Sequence, residues 1–172
     1  MNTSIVMTVV ADDHPGIVEE LSDVLATHNG NWAESSMMSL AGKFAGILLA
    51  EVPEERVDSF LRVLDSLEVG GMQIVAQRSE TPVRPESMRE YSIELVGQDR
   101  PGIVHEITGV LARFGINVQE LETTVQSASM SGESLFVAQA RILVPADVPL
   151  DKLRDEMEEL ANELMVDLQL EE

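Results

Sequence analysis

The segments Asp12-Asp13-His14-Pro15-Gly16-Ile17-Val18 and Gln98-Asp99-Arg100-Pro101-Gly102-Ile103-Val104 spell one pattern twice. Glycine lets other atoms approach the backbone, and a helix starting here would present free amides and the positive end of its dipole. Such a turn can hold a carboxylate, and a small amino acid would add its ammonium on Asp, Asn or Gln side chains. The same residues also have a purely structural reading: Asp caps the helix, Pro sits in its first turn, and Gly permits tight packing of helix on sheet. Both readings stand at this level, because duplicating a domain duplicates its turns as well as its sites.

Other chemistry has less support. The chain has no cysteine, which removes disulfides, thiolate metal sites and cysteine nucleophiles together. His14, His28 and His105 are scattered with no HxxxH spacing, so no metal site is expected and His14 reads as a polar contact of its loop. Ser35, Ser36 and Ser39 have no His and Asp arranged beside them along the chain, so nucleophilic catalysis is not expected either. The expectation is a protein with no cofactor and no enzymatic activity.

The loops belong to a tandem repeat. Val9 to Glu34 aligns without gaps on Leu95 to Glu120 with 12 of 26 residues identical, and Phe44 to Pro53 matches Phe136 to Pro145 six residues further out of step. The extra residues fall around Ser127 to Glu133 and read as a longer hairpin. Ser79 to Arg89, with two prolines, reads as a connector, which places domain 1 at residues 1–80, a linker at 81–89 and domain 2 at 90–172.

Each copy has the same elements. Apolar strands, Thr3 to Ala11 and Tyr91 to Gly97, run into the repeated loop. Helices follow, with Ile17, Leu21, Val24 and Leu25 in one and Ile103, Ile107, Val110, Leu111 and Phe114 in the other at helical spacing. They stop at Asn29-Gly30 and Gly115, and strands resume at Asn31 and Asn117. Turns at Ala41-Gly42 and near Ser131-Gly132 lead into Phe44 to Val52 and Leu135 to Val144. Second helices carry the stripes Val57, Phe60, Leu61, Leu64, Leu67 and Leu150, Leu153, Met157, Leu160, Leu164, before short closing strands at Met72 to Gln77 and Val166 to Leu170. The order βαββαβ, twice, predicts an α+β chain of two ferredoxin-like domains, each an antiparallel four-stranded sheet with two helices on one face.

This doubled βαββαβ, with D-[HR]-P-G-I-V after the first strand and Asn31 and Asn117 opening the second, resembles the ACT domain, a regulatory module for amino acids and other small ligands. Two such domains in this layout resemble the glycine cleavage system transcriptional repressor family. The resemblance implies a ligand site at Asp99, Arg100, Gly102, Ile103 and Asn117, and at Asp13, His14, Gly16, Ile17 and Asn31 in the first copy. There His14 replaces Arg, and Asn29-Gly30-Asn31 replaces Gly-Ile-Asn, so the first copy departs further from the pattern. It also implies a corepressor that contacts a DNA-binding activator protein, with glycine altering the contact. The alternative is a free-standing allosteric subunit of an amino-acid metabolic enzyme.

Charge bears on the partner. Lys and Arg number 11 against 31 Asp and Glu, a net of -20, with 4 basic and 13 acidic side chains in residues 1–80 and 5 and 17 in residues 90–172. Neither half could begin a phosphate-backbone contact without repulsion, so direct nucleic-acid binding is not expected. No apolar run is long enough to cross a membrane, and residues 1–10 lack the marks of a signal peptide, which predicts a cytoplasmic protein. The acidic run Asp155, Glu156, Glu158, Glu159 and Glu163 reads as a solvated face of the last helix, with partner docking the alternative, and Met37 and Met38 read as core filler. The strands Ile5 to Val10 and Phe44 to Ala50 are apolar on both faces although helices cover one, so sheet pairing between the copies or a homo-oligomer is expected to cover the other.

Overall fold

A computed structural model describes residues 1–67, 70–79, 87–127 and 134–172. The chain divides into two compact units, Met1–Val83 and Arg84–Glu172. The turn expected at Ser131-Gly132, most of the inserted stretch and linker positions 81–86 lie outside the described residues.

Domain 1 runs β1 (Asn2–Asp12), α1 (Ile17–Thr27), β2 (Asn31–Leu40), β3 (Lys43–Pro53), a 3-10 turn (Glu54–Arg56), α2 (Val57–Leu67) and β4 (Gln73–Arg78). Domain 2 runs β5 (Met88–Gln98), α3 (Ile103–Arg113), β6 (Asn117–Ser127), β7 (Ser134–Pro145), α4 (Leu150–Leu164) and β8 (Val166–Glu171). The sheets are ordered β2-β3-β1-β4 and β6-β7-β5-β8, antiparallel throughout. Both domains are ferredoxin-like, as the element order predicts.

Periodicity explains which side chains meet. Ile5, Met7, Val9 and Ala11 alternate onto one face of β1 and are buried against Ile17, Leu21 and Leu25 of α1 and Val57, Phe60 and Leu64 of α2. His28 is buried with them, its ring edge-on to Phe60 at 5.6 Å and its Nδ1 2.8 Å from the Val24 carbonyl. In domain 2, Tyr91, Ile93 and Leu95 pack against Ile103, Ile107 and Leu111 of α3 and Leu153, Met157 and Leu164 of α4. The acidic face of α4 is not wholly given to solvent: Glu156 accepts a hydrogen bond of 2.9 Å from Arg113 of α3.

Both first helices end in Schellman caps. The Asn29 and Gly30 amides reach back to the carbonyls of Ala26 and Leu25, and those of Gly115 and Ile116 to Ala112 and Leu111. Asn29, not Gly30, takes the left-handed position in the first. The β2–β3 turn has positive φ at both Ala41 (50°) and Gly42 (78°), as a two-residue type I′ hairpin requires. Alanine is a poor occupant of that position. Ala41→Asn is therefore expected to stabilise domain 1 by about 0.5–1 kcal/mol, read as a higher urea midpoint; an unchanged or lower midpoint would contradict it.

The sheet faces away from the helices differ. In domain 1, Val10, Met38, Leu40, Ile47 and Val75 are exposed, Ile47 at 50% and Val75 at 69%. Met38 is thus no core filler; of the pair only Met37 packs on the core. The central cross-strand rows, Met38–Ala45–Val10–Gln73 and Ser36–Ile47–Thr8–Val75, contain no charge. The matching rows of domain 2 are Thr124–Val137–Val96–Asp167 and Glu122–Gln139–Glu94–Gln169, so charge enters both. The strands form two four-stranded sheets, one in each unit.

Candidate ligand site at the strand-to-helix turns

Each repeated loop leaves the central strand of its sheet and enters the first helix through a left-handed glycine. Gly16 has φ 104° and ψ -10°, and Gly102 has φ 96° and ψ -9°. Their carbonyls accept the first helical hydrogen bonds, from the amides of Glu20 at 2.9 Å and Glu106 at 3.0 Å. Both glycines are N-caps, and no side chain caps either helix. The amides of the first turn therefore face outward without a side-chain acceptor, the arrangement that favours an anion.

Three details of the expected loop change. Asp13 and Asp99 are not the caps: their own amides are tied to the carbonyls of Gly42 at 3.0 Å and Ser134 at 2.9 Å, which pins the loop to the neighbouring strand. Pro15 and Pro101 precede the glycine caps and lie outside the first helical turn. Glycine is required for its φ and not for close packing, since a Cβ on Gly16 would meet nothing within 4 Å and one on Gly102 only Glu106 Oε1 at 3.5 Å.

The residues named for the site do not all converge within a domain. Asp99, Arg100 and Gly102 follow Gln98 at one end of the β6-β7-β5-β8 sheet. Ile103 and Ile17 are each 2% exposed, so their side chains belong to the core and only their amides face the loop. Asn117 opens β6 at the opposite end: it faces Leu143, which faces Glu90, whereas the loop follows Gln98 eight residues along β5. At ~3.3 Å per residue the separation is roughly 26 Å. Asn31 is placed likewise, opposite Glu51 and Ser4, while the loop with Asp13, His14 and Gly16 follows Asp12. Each asparagine lies outside its own domain's loop site.

Charge separates the two loops. Around α1 stand Asp12, Asp13 and the first-turn residues Glu19 and Glu20. Lys43 bonds Asp12, and that bond holds the Asp12 carboxyl below its ordinary range. Around α3 the first-turn acid is Glu106, and Arg100 Nη2 lies 3.5 Å from its Oε2. A carboxylate approaching α3 meets fewer acids and one arginine. His14 turns its Nδ1 onto the Pro15 carbonyl at 3.0 Å and offers no comparable cation.

Ser39 and Glu106 were not legible as members of these sites. Ser39 donates to Asp13 Oδ2 at 2.5 Å, so an aspartate does stand beside a serine, contrary to the spacing along the chain. Strand β2 brings them together across 26 residues. Their direct bond leaves no histidine between them, the arrangement nucleophilic catalysis would use. Among the described residues no three His, Asp or Glu side chains are grouped to hold a metal ion.

Fold and loop together define a protein of two tandem regulatory-type βαββαβ modules, each opening its first helix on an uncapped glycine. The chain belongs to the ACT-domain family, with ACT-domain matches at residues 3–76 and 91–162. It is 36% identical over 82 residues to a UPF0237 protein of Methanopyrus kandleri, covering 47% of this chain and 84% of that one. A UPF0237 protein of Methanosarcina mazei is 35% identical over 63 residues, covering 36% and 68%. Among solved structures, an unknown protein from Galdieria sulphuraria superposes with a TM-score of 0.86 at 30% identity, covering 99% of this chain and 98% of that one. A protein described as a candidate glycine cleavage system transcriptional repressor superposes at 0.68, covering 99% and 96%; at 19% identity this likeness speaks for the fold.

Proposed function

We propose that this protein is an amino-acid-responsive regulator without catalysis of its own, acting as a cytoplasmic corepressor of glycine cleavage genes through a DNA-binding partner protein. The observation that carries the sensing role is the α3 N-terminus: a left-handed glycine cap, no side-chain cap, and Asp99 and Arg100 beside it. A carboxylate fits the amides and an ammonium fits Asp99. Domain 2 is the stronger site because α1 is crowded by four acids. The connector expected at residues 81–89 ends earlier, since Met88 and Arg89 already belong to β5 and pair with Pro145 and Val144. The open face of domain 1, whose two central rows hold no charge, carries self-association, since two chains of net charge -20 approach best where their surfaces are least charged.

A thermal-shift screen of the twenty amino acids tests the sensing role, because a ligand bound only by the native state raises the melting temperature, by ~2.7 kcal/mol of added stability at a hundredfold excess over Kd. A shift with a small amino acid is expected; no shift with any of them would return the reading to partner binding alone. Affinity capture from cell extract should recover a transcription factor, whereas a biosynthetic enzyme in its place would favour the allosteric subunit. The purified protein is expected to show no binding to duplex DNA at physiological salt, and salt-sensitive retention would contradict the corepressor role.

A further inference from the structure

Domain 2 contains a cavity of ≈ 30 Å³ between α3 and the strands β5, β6 and β7, with Ala138 and Ala140 among its walls and Val104 and Leu121 beside them. Its lining is carbon apart from Thr108, whose hydroxyl is turned onto the Val104 carbonyl at 2.7 Å. Val104 and Leu121 are 39% and 44% exposed and form an apolar rim.

Register explains why the space exists. In domain 2, Val118 faces Ile142, Leu121 faces Ala140 and Thr123 faces Ala138. The same three steps in domain 1 are Trp32 facing Ala50, Ser35 facing Leu48 and Met37 facing Gly46. Leu48, 1% exposed, thus stands where domain 2 has Ala140, and Trp32 and Met37 pack on the core where domain 2 has Val118 and Thr123. Domain 1 has the larger side chain at Trp32, Leu48 and Met37 and domain 2 at Ile142, Leu121 and Ala138; the void borders Ala140, where domain 1 has Leu48. A dry cavity with no hydrogen-bonding wall takes an apolar guest, and a single water-sized centre needs ~10–15 Å³. The space therefore suits roughly two or three heavy-atom centres.

We propose that domain 2 binds a small molecule through a branched, isopropyl-like aliphatic group of about three carbons seated in this cavity. The refinement rests on the amino-acid-sensing reading, and on it the ligand is valine or leucine in preference to glycine, which has no side chain to place there. Val104 lies two residues beyond the Gly102 cap, so the rim adjoins the same turn.

The test compares L-leucine, L-valine and glycine as stabilisers of the full chain, with domain 2 followed through Tyr91, the only tyrosine and part of its core. Two variants close the space: Ala140→Leu fills it with the residue domain 1 uses, and Val104→Trp covers the mouth from an exposed position, so the second decides if the first misfolds. Leucine and valine are expected to raise the domain 2 midpoint by several degrees more than glycine, and this excess should vanish in the folded variants. An excess that survives both closures, or none in the unaltered chain, overturns the proposal. Glycine shifts of equal size in all three proteins would remove the cavity ligand while leaving amino-acid sensing in place; no shift with any probe would remove both.

Discussion

A Phe60→Ala chain is expected to lose about 3–5 kcal/mol of domain 1 stability, the usual range for truncating a buried aromatic. Phe60 is 1% exposed on α2, and its ring supports the buried His28 edge-on at 5.6 Å. Truncation removes the apolar burial and leaves a cavity beneath a polar ring. A domain of this size has roughly 4–12 kcal/mol in total, so the loss takes about a quarter of it at least. At ~4–8 °C per kcal/mol the domain 1 transition should fall by tens of degrees. The chain carries its own reporters, since its single tryptophan, Trp32, packs on the domain 1 core and its single tyrosine, Tyr91, on that of domain 2. In urea the Trp32 signal should move to a much lower midpoint while the Tyr91 signal holds. A Trp32 shift worth less than about 1 kcal/mol would contradict the packing described for α2.

Gly102→Val should abolish any ligand-induced shift of domain 2 and also lower its midpoint. Valine at φ 96° is strained by about 1–3 kcal/mol, and its branched side chain would cover the first-turn amides. Gly102→Asn separates the two effects. Asparagine tolerates the left-handed region, so this variant should keep most of the stability yet still lose the ligand. Asp99→Asn should weaken the ligand shift with little cost to folding, because Asp99 caps nothing. Asn117→Ala, roughly 26 Å away along the sheet, should leave the shift intact. Gly16→Val should incur the same backbone strain in domain 1 with little effect on ligand response. Calorimetry that finds full affinity in folded Gly102→Asn and Asp99→Asn chains would make the turn structural punctuation.

The fold was legible because its signals are local. Spacings such as Ile17, Leu21, Leu25 and the matched Asp-[His/Arg]-Pro-Gly-Ile-Val loops report helix, strand and repeat within a few residues of chain, and the offset between copies aligns one βαββαβ unit on the other. The Asn29 and Gly115 helix stops follow from the same short-range chemistry. So did the two-sided apolar character of β1 and β3, which alternation exposes directly.

Tertiary structure decided what depends on distance across the sheet. Sequence likeness placed Asn117 with Gly102, but strand register put eight residues of β5 between them. Proximity along the chain makes Asp13 a candidate cap, whereas its carboxylate accepts from Ser39 on β2 and Gly16 is the cap. Which sheet face kept its central rows free of charge, and where α3 left a void over Ala140, are set by side chains contributed from three or four strands at once. Periodicity along one element carries no information about the volumes that meet it from the others, because packing sums over neighbours that only the folded register brings together.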